Sequence, residues 1–308
     1  MAVFSRRAGI TTLVAGIVSL VFSAGTVTAA DITIQHASGE TAFSKTPVKV
    51  LTYDIATLDT LTALGIEVAG VPGGNKPDYL SKYAGDGVVN IGTLFEPDYE
   101  AVAAAQPDLI VVAGRSRAKY AELAKIAPTI DMTISPENFL SEAEQNVRKL
   151  GTLFGKQEQA EALLAKLSAS RAELKPKSAT AGKSLLVLTT GGKMSSYGPG
   201  SRFGMLFSDY GFQPAEATGV KGTHGNPASY EYILEKNPDW LFVIDRDAAI
   251  GREGAARTML DNEVVAQTTA WKNGHVVYLD ATSWYLVGGG ITAMQRTVDQ
   301  LLAAVDKK

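Results

Sequence analysis

Residues 99–115 read YEAVAAAQPDLIVVAGR, and residues 230–246 read YEYILEKNPDWLFVIDR. Tyr99 and Tyr230, Glu100 and Glu231, Pro107 and Pro238, Asp108 and Asp239, and Arg115 and Arg246 recur at one interval of 131 residues. A solenoid would repeat every 20–50 residues; one long interval predicts two halves built alike. Each copy has the same mechanical reading. A short amphipathic helix must end before the residue preceding proline, because Pro disfavours helical geometry there. The unbroken apolar run that follows predicts a parallel strand covered on both faces. The Arg stands just past the strand's carboxyl end, where ligands bind in open α/β sheets. Two such halves facing each other make a cleft with Arg115 on one side and Arg246 on the other.

The rest of the chain sets the bounds. Arg6-Arg7, an apolar run from Ala8 to Ala24 and the small residues ending at Ala29-Ala30 form the pattern of a secretory signal peptide over residues 1–30. Cysteine is absent from all 308 residues, which excludes disulfides, thiolate metal sites and a lipid-anchoring Cys at the cut. The expected location is therefore the periplasm, without an anchor. About 278 residues remain after residue 30, enough for two domains. The formal charge of −3 falls to about −5 without Arg6 and Arg7, which argues against nucleic acid. Any anion site must then be a local cluster of cations.

Strand and helix patterns alternate through the chain, so the expected fold is α/β with largely parallel sheets. A hairpin is expected around Ser38-Gly39-Glu40, and a helix from Asp54, its cap, to Leu64, closed by Gly65. Ser135-Pro136-Glu137 predicts a helix start, with Pro in the first turn. Lys156 to Lys175 has apolar residues at Ala160, Leu163, Leu164, Leu167 and Leu174, and such a helix spans about 30 Å. It divides the chain into an N-terminal lobe over 31–154, a bridging helix over 155–178 and a C-terminal lobe over 179–308. Pro199-Gly200-Ser201-Arg202 reads as another helix start, and Ala281 to Gly290 as a loop before a terminal helix.

Arg202 at a helix start opposes the helix dipole, which points away from a structural role and towards an anion. With Arg115 and Arg246 it completes a trio that cannot shed its protons. Such a trio suits a bulky, multiply charged anion, and a planar aromatic anion would also stack on the guanidinium faces. Arg117, two residues on, reads as a surface charge. His224 and Tyr285 lie in Gly-rich loops, and imidazole with phenolate suits ferric iron. With three His in the chain, no three-His zinc set is visible. There is no Gly-x-Ser-x-Gly elbow and no Walker loop; Gly288-Gly289-Gly290 resembles a phosphate cradle only loosely.

The chain resembles the periplasmic siderophore-binding proteins of bacterial ABC iron importers, class III, in their catecholate group. The resemblance covers the whole mature chain. It is carried by residues 33–40 (TIQHASGE), 107–115 (PDLIVVAGR) and 198–204 (GPGSRFG), by His224-Gly225 and Asp245-Arg246, and by residues 285–290 (YLVGGG). It implies two Rossmann-like lobes bridged by one long helix, little motion between open and closed states, and no enzymatic activity. Arg115, Arg202 and Arg246 match the positions that hold an anionic ferric catecholate of enterobactin type. His224 and Tyr285 match residues that fill iron positions left open by a tetradentate ligand. Glu100 and Glu231 match the carboxylates that dock on the permease dimer. No intrinsic cofactor is implied; Fe3+ arrives as part of the ligand, and the protein is expected to be a monomer. Within the class, other iron chelates, haem and cobalamin are the rival ligands, and a Rossmann-like periplasmic enzyme is the rival from another class.

Overall fold

A computed structural model describes residues 1–3, 32–216 and 224–307. The expected signal peptide lies almost wholly outside these residues, as do Gly219 to Thr223 of the Gly-rich loop. Asp31–Lys308 is one compact unit. It opens with an antiparallel hairpin, β1 (Ile32–His36) and β2 (Gly39–Phe43), turning at Gly39 with φ +133°.

The first sheet contains β3 (Val50–Thr52), β4 (Gly70–Val71), β5 (Val89–Asn90), β6 (Leu109–Val112) and β7 (Thr129–Asp131). All pair in parallel, in the order β5-β4-β3-β6-β7. The second sheet contains β8 (Lys183–Thr190), β9 (Lys193–Tyr197), β10 (Gln213–Pro214), β11 (Asn226–Ala228), β12 (Trp240–Asp245) and β13 (Val276–Tyr278). Its path is β11-β9-β8-β12-β13, with β10 beside β8. β8, β12 and β13 run parallel, whereas β9 is antiparallel to both of its neighbours, β8 and β11. This sheet is thus largely parallel, as the sequence suggested, with β9 the reversed strand within it. The cause is the tight Gly191-Gly192 turn, both residues at positive φ, which folds β9 straight back on β8 instead of crossing over.

The repeated motif does the same work in both sheets. Helices Tyr99–Ala105 and Tyr230–Lys236 are capped at their starts by Asp98 and Ser229, which accept from Ala101 N and Tyr232 N. They end at Gln106 (φ 48°) and Asn237 (φ 37°), non-glycine residues in the left-handed region, 131 positions apart. The chain must reverse there, because Pro107 and Pro238 bar continuation. Asp108 then accepts from Val48 N and Lys49 N, and Asp239 from Lys183 N, so each Asp pins the start of its own strand to that of the neighbour. β6 and β12 are buried along nearly their whole length, as their apolar runs require.

Helix Gln157–Ala179 has 23 residues, which at 1.5 Å each is about 35 Å. Gln159 Nε2 donates to Ala63 O near its start, and Ser178 Oγ to Tyr210 O near its end. It packs on helices Phe139–Leu153 and Ile291–Val305. One apolar cluster runs continuously from Val50, Leu109 and Ile130 through Leu164 and Leu167 to Leu186, Phe242 and Leu301. The Phe139–Leu153 helix starts a turn later than Ser135 suggests. Ser135 N and Oγ instead donate to the Glu142 carboxylate, at 2.7 and 2.8 Å, and fasten the entering chain to the helix flank.

Candidate functional site

In the first sheet the strand order reverses between β3 and β6, and in the second between β8 and β12. Crevices at such points, beyond the carboxyl ends of the strands, are the natural ligand positions of open α/β sheets. Asp54 and Arg115 follow β3 and β6; Thr190 and Arg246 stand at the ends of β8 and β12. Arg246 Nη1 donates across the second reversal to Thr190 Oγ1 at 3.1 Å. Asp54 caps helix Ile55–Ala63, accepting from Thr57 N and Thr57 Oγ1, both at 2.8 Å.

Arg115, Arg202 and Arg246 converge on Tyr285. Arg115 Nη2 and Arg202 Nη2 both donate to the Tyr285 carbonyl, at 2.6 and 2.5 Å. Arg246 Nε donates to Tyr285 Oη at 2.7 Å. The three guanidinium carbons lie 5.5, 4.4 and 5.4 Å from the ring centroid. One tyrosine thus holds three cations with its backbone oxygen, its phenol and its π face. Arg117, Arg148, Arg171 and Arg296 have carboxylate partners; among the described residues Arg115, Arg202 and Arg246 have none at ion-pair distance.

The electrostatics follow from this crowding. Burial pushes the Tyr285 phenol up, but the Arg246 hydrogen bond and the Arg202 charge more than offset it, so the phenol sits below its ordinary value. Burial, and then repulsion from Arg202, lowers Arg115. Burial pushes the Asp54 carboxyl up, against its Thr57 bonds and the Arg115 charge. A cavity of about 160 Å³ adjoins the cluster, lined by Asp54, Arg115 and Phe139 from the first half and by Arg202, Trp284 and Tyr285 from the second. Its floor is apolar and its cations have free capacity, so it suits an anion with flat aromatic faces.

Two sequence expectations about this site need correction. Arg202 does not stand at a helix start. It stands in a tight turn closed by Ser201 Oγ on Gly198 O (2.6 Å), and the helix that follows, Met205–Ser208, has four residues. Its role comes from the turn's direction and not from a helix dipole. Residues 283–287 are not a loop but a wide helical turn, closed by Gly288 N on Ser283 O at 2.8 Å across five residues. Such turns recur at functional sites. The glycines after it answer packing demands. Gly288 has φ +52°, a Cβ on Gly289 would lie 2.3 Å from Ile134 Cδ1, and one on Gly290 would lie 2.5 Å from Asp59 Oδ2.

His224 is exposed just before β11, and no hydrogen bond to its side chain occurs among the described residues. Its neighbour Gly225 sits against the Tyr197 ring, which packs on Phe203 beside Arg202. His224 therefore lies at the rim, outside the cluster. Glu100 and Glu231 are exposed in the first turns of their helices, apart from the cluster at the other ends of β6 and β12. Arg117 binds the buried Asp131 at 3.2 Å, which makes it a structural pair more than a free surface charge. Sequence reading missed Asp54 as a cleft carboxylate, having used it only as a cap, and missed Tyr197, whose phenol burial pushes up against the nearby Arg202 charge. The place of Asp54 just past β3, comparable to Thr190 at the end of β8, was the available signal. Among the described residues no group of three His, Asp or Glu is placed to hold a metal ion, and no helix is long and apolar enough to cross a membrane.

Residues 50–282 match a family model described as periplasmic binding protein. The chain is 37% identical to the petrobactin-binding protein YclQ of Bacillus subtilis, over 90% of this chain and 89% of that protein. The crystal structure of YclQ aligns with a TM-score of 0.87, covering 90% of this chain and 99% of that one. The ferric-anguibactin-binding protein FatB of Vibrio anguillarum is 33% identical, over 88% and 86%. The periplasmic catecholate-siderophore binding protein VctP of Vibrio cholerae is 34% identical, with a TM-score of 0.84 over 89% and 98%.

Proposed function

The chain belongs to the periplasmic binding protein family, and on that premise we propose that it captures ferric catecholate siderophores around Tyr285 and delivers them to an inner-membrane ABC permease. Its named relatives are siderophore-binding proteins and not enzymes. The observation that carries the reading is the convergence of Arg115, Arg202 and Arg246 on Tyr285 with no carboxylate at ion-pair distance from them among the described residues. Ferric catecholates are anionic and present flat aromatic rings, so they match both the charge and the faces. Neutral or cationic hydroxamate complexes match neither.

His224 and Tyr285 are the residues proposed to complete the coordination of iron carried by a tetradentate ligand. The lowered Tyr285 phenol supports this for Tyr285; for His224 the support is its place at the rim. Glu100 and Glu231 are proposed as the two contacts to the permease dimer, one per lobe, with lobes divided by the bridging helix at residues 155–178. Export by the signal peptide at residues 1–30 and a monomeric state in the periplasm complete the reading. Titration of tryptophan and tyrosine fluorescence with ferric tris-catecholate, bis-catecholate and hydroxamate complexes tests it. Both catecholates are expected to bind and the hydroxamate is not; preference for the hydroxamate would transfer the protein to another ligand class.

A further inference from the structure

Asp59 is fully buried, yet nothing in the ligand site described above uses it. It lies in the first half, on helix Ile55–Ala63, the helix whose start Asp54 caps in the cleft. Its carboxylate reaches the last helix of the chain. Thr292 N donates to Asp59 Oδ1 at 2.9 Å and Ala293 N to Asp59 Oδ2 at 2.8 Å. Thr60, the next residue, accepts from Ile291 N at 3.3 Å. Helix Ile291–Val305 has no capping side chain of its own, because Gly290 occupies the cap position. Its first three amide donors are therefore satisfied from the other half of the molecule. Tyr79 Oη adds a third bond to Asp59, at 3.0 Å, and Arg296 from the last helix lies over the Tyr79 ring. Gly290 has to be glycine, since a Cβ there would meet the Asp59 carboxylate at 2.5 Å.

We propose that Asp59 is a positioning residue for the ligand site: it grips the helix start that directly follows the Tyr285 turn and so fixes Tyr285 against the three arginines. The turn over residues 283–287 is held at its near side by Asp280, which accepts from Ser283 N, and at its far side by the start of helix Ile291–Val305. Release of the far anchor frees the Gly288-Gly289-Gly290 segment, whose backbone has the least intrinsic stiffness in the chain. The Tyr285 carbonyl and phenol, which gather Arg115, Arg202 and Arg246, then lose their common position. The inference rests on the reading of Tyr285 as the centre of the ligand site.

Hydrogen exchange on the full chain reads the anchor without any ligand. In Asp59→Asn, one amide acceptor and one misdirected donor replace a carboxylate that takes two backbone N–H groups. Exchange at residues 283–293 is expected to rise about tenfold or more, the ratio set by loss of one charge-assisted hydrogen bond, while β8 is unchanged. Gly290→Ala keeps the charge and pushes the same contact apart, so it should give the same local pattern if Asp59→Asn does not fold. Both variants should also alter the circular dichroism of the ferric bis-catecholate charge-transfer band at saturating protein. Exchange at residues 283–293 rising only in step with β8, or an unaltered band in a variant whose segment is loosened, would make Asp59 a core fastener and overturn the proposal. A wild-type protein that binds no ferric catecholate would refute the ligand reading and leave the exchange result to decide for Asp59.

Discussion

Tyr285 is a single residue that takes three polar contacts from three guanidiniums, and Arg115 also reaches the adjacent Leu286 O. Phenol and carbonyl act separately, so Tyr285→Phe removes the Arg246 bond and leaves the other two arginines in place. A tetradentate bis-catecholate leaves two iron positions open, and a hexadentate tris-catecholate leaves none. Tyr285→Phe and His224→Ala should each weaken the bis-catecholate complex and shift its charge-transfer absorption, with tris-catecholate binding nearly unchanged. Equal losses for both ligands would reduce the two side chains to cleft lining. Asp54 carries the negative charge among the residues lining the cavity. Asn is also a good cap, so Asp54→Asn should keep helix Ile55–Ala63 and tighten anion binding by about threefold to tenfold. The sign of its pH effect follows from burial, which raises the folded carboxyl. Stability from a raised group is present below its unfolded value and is lost as pH rises through the folded value. Urea midpoints of wild type should therefore fall relative to Asp54→Asn from pH 4 to pH 7; the opposite trend would mean that the Thr57 bonds and Arg115 dominate.

At the scale of elements, the repeated helix–Pro-Asp–strand unit was legible because each of its parts is local chemistry. The helix stop, the apolar run and the Arg after it need only near neighbours, and all three stand where the sequence put them. Gln106 and Asn237 pay a left-handed penalty in this unit. Gln106→Gly should therefore raise unfolding free energy by about 0.5–1 kcal/mol, measured by urea denaturation, and a loss would show that the Gln side chain has an unseen role. The site's remaining parts were illegible for a physical reason. Gly288-Gly289-Gly290 resembles a permissive loop or an anion cradle, but Gly289 is fixed by Ile134 and Gly290 by Asp59, residues more than 150 positions away. The turn carrying Arg202 was misread as a helix start because Ser201 bonds back to Gly198, a local competition that helix patterns do not report. Helices Tyr99–Ala105 and Tyr230–Lys236 present Glu100 and Glu231 away from the arginines. Replacing both Glu with Ala should leave ligand affinity unchanged and lower uptake with the cognate permease. Weaker ligand binding in that variant would place these helices on the ligand side.

For the whole molecule, the acidic net charge of −3 makes the three-arginine cluster a local exception to the surface. The two halves are joined by more than the long helix. Asn75 Nδ2 donates to Ala249 O at 2.8 Å, Arg115 reaches Tyr285 O, and Asp59 holds the last helix. Bonds of this kind on several sides of the cleft favour small adjustments over wide closure. They also place Arg115 from the first half within reach of the same tyrosine as Arg202 and Arg246 from the second. Ligand capture therefore depends on this trio binding the ligand's negative charge. The affinity of Arg202→Ala and Arg246→Ala for ferric tris-catecholate, by fluorescence titration at fixed ionic strength, tests it most directly. Each loss should weaken binding about ten- to hundredfold, the equivalent of one charge-assisted hydrogen bond of about 1.5–3 kcal/mol. Wild-type affinity in either variant, with the protein folded, would contradict it.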